Sequence, residues 1–80
     1  MKYVMFIVSK NRTTCLRENE CDNINDFLNT LKEEHFGKCM NEIISQIESC
    51  IDDNWNKEIG FMSVDVDVDN TKFGVHIAEY

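Results

Sequence analysis

Asp65, Asp67 and Asp69 alternate with valines in the stretch VDVDVDN, residues 64–70. Carboxylates spaced this way could hold a divalent cation, exchange protons with a substrate, or present charge to a cationic partner. A calcium loop of the EF-hand kind places acids at positions 1, 3 and 5, glycine at 6 and glutamate at 12. Counted from Asp65, the first three agree, but Asn70 and His76 stand at the two diagnostic positions. If the stretch is a strand, same-face residues lie roughly 6.6–6.8 Å apart. Three carboxylates on such a line cannot all reach one ion at about 2.3–2.6 Å. A divalent-metal-binding module in which two neighbours share a weak ion remains one alternative; otherwise no metal or cofactor is expected.

Acid–base catalysis needs a pocket that moves one carboxyl away from its ordinary titration range. An open strand face offers none, even with His76 opposite Asp65. No nucleophile stands at readable spacing from a base, and no glycine-rich phosphate loop occurs, so an enzyme is not expected. The third chemistry is docking. Negative charges repeated along an extended line resemble, electrostatically, one strand of a nucleic-acid backbone, and a basic groove built for phosphates would accept them. Asp52, Asp53, Glu48 and Glu58, near the end of a predicted helix, would widen the patch. The same alternation also describes a strand kept soluble by its outer face, with aspartates guarding against edge pairing.

The charge totals favour a basic partner. The chain has 80 residues and a net charge of −7. Residues 1–17 hold Lys2, Lys10, Arg12 and Arg17 and no acid, while residues 18–80 sum to −11. Direct nucleic-acid binding needs clustered cations and is excluded on this balance; steering towards basic surfaces is what it implies. Lys10, Arg12 and Arg17 form a small basic end that could meet an acidic partner or the acidic face of a second copy.

The elements that position these residues follow from periodicity. Eighty residues make a single domain, 1–80, with a thin core. Residues 3–8, YVMFIV, are apolar on both faces of a strand: Tyr3, Met5 and Ile7 on one, Val4, Phe6 and Val8 on the other. Lys10-Asn11 is a turn candidate, after which TTCLR reads as a returning strand, with Cys15 and Arg17 on one side, or as an ordered loop. A helix starts at Asp22-Asn23, with Asn23 as cap and Asp26 in the first turn. Its stripe is Ile24, Phe27, Leu28, Leu31 and His35, and Gly37 is expected to end it. A second helix spans 38–54 with Met40, Ile43, Ile44, Ile47, Cys50 and Ile51 on one side and Glu42, Gln46, Ser49 and Asp53 opposite. Trp55 follows as a lid on the core.

Two strands close the chain, 59–68 and 72–80. With Asn70-Thr71 as the hairpin loop, Asp69 faces Lys72, Val68 faces Phe73, Val66 faces Val75, Asp65 faces His76, Val64 faces Ile77, and Phe61 meets Tyr80 on the outer face. The valines then point inward and the aspartates outward. The expected fold is α+β: a small antiparallel sheet of three or four strands packed on two helices, in the order β-(β)-α-α-β-β. If the N-terminal strand pairs beside this hairpin, its second apolar face lies uncovered next to the acidic row. That arrangement suits an interaction surface, including a homodimer joined through residues 3–8.

The four cysteines, Cys15, Cys21, Cys39 and Cys50, lack the close pairs of zinc sites. On one helix Cys39 and Cys50 would stand roughly 16 Å apart along the axis, too far for a disulfide. Cys50 is expected in the core and the others to be incidental. The opening MKYVMFIVSK is short for a signal-peptide core, no run approaches membrane-spanning length, and a cytoplasmic location is expected.

Small size, acidity, the absence of proline and of catalytic motifs, and richness in Asn, Ile and Lys make the chain similar in type to small phage-encoded proteins of the anti-CRISPR and anti-restriction kind. That resemblance implies a compact α+β domain that blocks a nucleic-acid-handling host complex by occupying its basic surface. The residues that would do so here, Asp65, Asp67 and Asp69 with Asp52, Asp53, Glu48, Phe61 and Tyr80, come from the spacing argument. A homodimeric structural or regulatory protein is the alternative of a different class.

Overall fold

A computed structural model describes residues 1–80. Strands β1 (Tyr3–Ser9) and β2 (Arg12–Glu18) are followed by helices α1 (Ile24–Glu33) and α2 (Lys38–Asn54) and strands β3 (Phe61–Val68) and β4 (Thr71–Glu79). TTCLR is therefore a strand, and Lys10-Asn11 is the turn that returns it, with Ser9 opposite Arg12. The four strands form one antiparallel sheet in the order β2-β1-β4-β3. The fold is α+β, in the order β-β-α-α-β-β.

Both helices lie on one face of the sheet. Tyr3, Met5 and Ile7 of β1, Val75 and Ile77 of β4, and Met62, Val66 and Val68 of β3 share a core with Phe27, Leu28, Leu31, Ile43, Ile44, Ile47 and Ile51. The stacked rings of Tyr3 and Phe27, 5.3 Å between centroids, tie β1 to α1. Trp55 tilts against Tyr3 at 6.2 Å and closes that end. β1 is central, with β2 on one side and β4 on the other, so its second face, Val4, Phe6 and Val8, looks away from the helices.

The final hairpin keeps the expected faces and corrects the expected register. Its two loop residues are Asp69 and Asn70, with φ of 50° and 65°, and not Asn70-Thr71. Two consecutive positive φ values define a type I′ turn, which Asp and Asn tolerate and a β-branched threonine does not. Each pairing therefore moves by two residues: Val68 faces Thr71, Asp67 faces Lys72, Val66 faces Phe73, Asp65 faces Gly74, Val64 faces Val75, Ser63 faces His76 and Phe61 faces Ala78. The pairs Asp69–Lys72, Asp65–His76 and Phe61–Tyr80 are thereby replaced. A shift of two preserves side-chain parity, so no valine changes face.

The helix boundary differs in the same way. Asn23 caps α1 by accepting from Asp26 N–H at 2.8 Å, and Asp26 reaches back to Asp22 N–H at 3.2 Å. α1 stops at Glu33, and His35 takes the left-handed position, φ 53°. His35 is thus exposed beyond the helix rather than the last member of its stripe. Gly37, expected to end α1, instead stands at the N-cap of α2 with φ 123°. β3 begins at Phe61 and not at 59. The Asn56 side chain accepts from the N–H groups of Glu58 and Ile59, and Gly60, φ 64°, donates to Asn56 O at 2.8 Å. Those bonds hold residues 56–60 in a turn and leave Ile59 exposed.

Candidate interaction surface

β3 is an edge strand. Its odd-numbered side chains, Phe61, Ser63, Asp65 and Asp67, point away from the helices and are exposed. Asp65 and Asp67 are consecutive same-face residues, while Asp69 sits in the turn just beyond them. Gln46 of α2 donates from Nε2 to Asp67 O at 2.7 Å, which occupies one edge carbonyl. Gln46 belongs to the helix line Glu42, Gln46, Ser49, Asp53, spaced at i, i+4, i+7 and i+11. The hydrogen bond sets the first part of that line, with Glu42, beside Asp67 and Asp69, while Asp53, two turns further on, lies with Asn54, Asn56 and Glu58 at the end of the helix.

The other predicted acids turn elsewhere. Glu48 pairs with Lys32 of α1 at 3.1 Å. Asp52, one turn further along, follows Glu48 toward the α1 side and is exposed. These two do not extend the β3 row. The Lys32–Glu48 pair is the sole ion pair that closes to contact distance within the chain; Asp65, Asp69 and Asp53 have no cation in contact, and Asp67 stands opposite Lys72 across the β3–β4 ladder. Phe61, 39% exposed, lies at the far end of the row. Tyr80 follows β4 with Lys2 Nζ 6.0 Å above its ring.

Register also creates a pair that periodicity could not reveal. Ser63 Oγ and His76 Nδ1 share a hydrogen bond of 2.8 Å across β3 and β4. Gly74 lies next to it and, lacking a side chain, leaves a hollow. A Cβ there would come 3.6 Å from His76 Nε2 and 3.7 Å from Asp65 Oδ1. His76 and Asp65 thus flank Gly74 on the uncovered sheet face, and Ser63 holds the other nitrogen of the His76 ring.

Of the groups that depart from their ordinary titration, Arg17 lies on this sheet face, its guanidinium raised by the hydrogen bond to Cys15, then by the charges of Cys15 and Tyr80; the others lie away from it. Burial, the hydrogen bond to Glu79 and the charge of Glu79 push the Tyr3 hydroxyl up to about 12. Glu18 is raised by its hydrogen bond to the Glu34 carboxyl, then by burial and by the Glu34 charge. Cys21, not Cys50, is the fully buried cysteine, 3% exposed against a half-buried Cys50. Burial raises its thiol, with Asp26 and Glu18 adding to the effect. Cys21 lies in the connection before α1, where no periodic pattern marks it. No group of three or more His, Cys, Asp or Glu side chains is arranged to hold a metal ion.

Comparison with protein-family models, curated proteins and solved structures returned no match. The class that can be stated is set by the fold and surface alone: an α+β domain with a four-stranded antiparallel sheet and an exposed acidic edge strand. No helix is long and apolar enough to cross a membrane.

Proposed function

We propose that the chain is a non-enzymatic binding protein that docks its acidic β3 edge onto a basic, nucleic-acid-handling surface of a partner, as a phage-type inhibitor of a host complex in the cytoplasm would. The observation that carries this reading is the exposed carboxylate row of Asp65 and Asp67, continued by Asp69, in which no carboxylate closes an ion pair and only Asp67 has a cation, Lys72, opposite it in the sheet. Burying such a charge against lysines and arginines gives charge-assisted contacts and fast, salt-sensitive association. The Val/Asp alternation lets the row stand on a rigid strand, because Val66 and Val68 anchor the same strand in the core.

Asp65→Asn/Asp67→Asn/Asp69→Asn tests it. Asparagine keeps the size of each side chain and tolerates the left-handed turn position at 69, so the fold is retained while three charges are lost. Immobilised wild-type chain retains nucleic-acid-binding proteins from a host lysate, releases them on addition of salt or single-stranded DNA, and the triple variant does not. Equal retention by the triple variant defeats the reading.

A further inference from the structure

We infer that the cleft between the free edge of β2 and the first turn of α2 binds a small amphipathic anion, an oxyanion head on an apolar body. On the helix side of the sheet, α1 sits over one end of β2 and β1, where Phe27 stacks on Tyr3 and Glu34 meets Glu18. Neither helix closes over the other end. There Arg12 is exposed and Thr14 and Leu16 are half-buried, although the β1 residues opposite Thr14 and Leu16, Ile7 and Met5, lie in the core. The chain returns to this end through Phe36 and Gly37 and starts α2 beside it.

The space left is a cleft of about 450 Å³, within the range of small-molecule sites. Its interior is apolar. Ile7 and Ile43 form the floor, and Leu16, Met40 and Phe73 pack against the core while staying partly exposed to the cleft. Its mouth is cationic. Arg12 and Lys38 both line it, and none of the chain's 15 acids is among its twelve lining residues. Lys38 also borders Glu42 and Asp69 on its far side, which makes Arg12 the principal cation of the cleft. Arg12 has no ion pair within the chain, and a guanidinium takes a carboxylate or phosphate through two parallel hydrogen bonds.

The first turn of α2 adds to the same sign. Gly37 supplies no capping side chain, no acid stands in that turn, and the N–H groups of residues 38–40 have no partner in the chain. A helix of 17 residues brings a partial positive charge to that end. The walls select an apolar body, and the mouth selects a negative head over a neutral or a positive one. The acidic row on β3 belongs to the opposite edge of the sheet, so the inference does not depend on what docks there.

Titration of the ¹⁵N-labelled chain with octanoate, followed by amide shifts, tests this. Octanoate should move the signals of residues 38–40, Thr14 and Leu16 saturably, with a dissociation constant below about 1 mM. Octan-1-ol should bind at least about tenfold more weakly, octyltrimethylammonium more weakly still, and acetate should leave the signals in place. Arg12→Gln should weaken octanoate about five- to tenfold and leave octanol unchanged. Thr14→Trp fills the cleft from a strand position that suits an aromatic residue, and should abolish binding while the circular dichroism spectrum is kept. Alkylation of Cys39, at the mouth, should slow with bound octanoate, while Cys15, exposed on the opposite sheet face, reacts at an unchanged rate. Octyl phosphate in place of octanoate decides the head group: saturable binding of either supports the inference. Failure of both to saturate, octanol as tight as octanoate, an Arg12→Gln chain with wild-type affinity, or shifts confined to Phe6 and Val8 would each overturn it.

Discussion

Exchanging the polarity of two neighbouring residues on β3 tests the geometry most sharply. Val66 is 5% exposed and shares the core with α2, while Asp65, one residue earlier, is exposed on the opposite face. Val66→Asp removes a buried side chain whose transfer is worth about 1.5–3 kcal/mol and places a carboxylate where no cation waits, at a cost of several kcal/mol more. Together these exceed about 4 kcal/mol, against a total stability of about 4–12 kcal/mol for a chain of this length. Val66→Asp should therefore be largely unfolded at neutral pH, or melt tens of degrees lower. Asp65→Val leaves the core untouched and replaces a poor strand former with a good one, so it should match or exceed wild type by up to about 1 kcal/mol. Urea and thermal melts followed by circular dichroism measure both. A Val66→Asp chain with wild-type stability, or an Asp65→Val chain that unfolds, would refute the placement of the two faces.

Asn70→Gly relieves a positive φ in the type I′ turn and should raise stability by about 0.5–1 kcal/mol in urea melts, whereas Asn70→Ala should lower it. In a Tyr80→Phe chain Tyr3 is the sole tyrosine, and its ultraviolet titration should have a midpoint near 12 in the folded protein, falling to about 10 in urea. Because the folded value is raised, the neutral phenol stabilises the fold fully below pH 10, and that contribution is lost as pH rises towards 12. Tyr3→Phe should flatten this alkaline limb. For Glu18 the raised folded value means stabilisation below the ordinary carboxyl range that disappears as pH rises through the folded value. Glu34→Gln should therefore raise stability at neutral pH by a few tenths of a kcal/mol and reduce the fall of stability as pH rises above the ordinary carboxyl range.

The faces of the elements were legible in the sequence because they rest on periods. The period-2 alternation at 61–68 and the helical stripe from Ile43 to Ile51 each leave one orientation that buries the apolar side chains. Pairing partners were not legible to the same degree, because a shift of two residues costs no burial. Only the turn decides, through the preference of Asp69-Asn70 over Asn70-Thr71 for left-handed backbone. The Ser63–His76 pair and the hollow at Gly74 depend on that register and so leave no mark in the sequence pattern. Gly37 signalled a chain reversal, but a glycine can serve either the end of one helix or the start of the next, and His35 took the first role. Nearness in sequence assigns Glu48 and Asp52 to the acidic patch; the structure separates them, because helix geometry turns them toward Lys32 while Gln46 holds Glu42 beside β3. Cys21 is buried by the packing of a connection, which carries no periodic mark.

The measurement that bears most directly on function is retention of nucleic-acid-binding host proteins by the wild-type chain and by Asp65→Asn/Asp67→Asn/Asp69→Asn, side by side at about 0.15 M salt, where the Debye length is about 8 Å and only close contacts survive screening. The docking role predicts that the triple variant, still folded by circular dichroism, loses at least tenfold of the retained material. Undiminished retention would show that the carboxylates on β3 only keep the strand soluble.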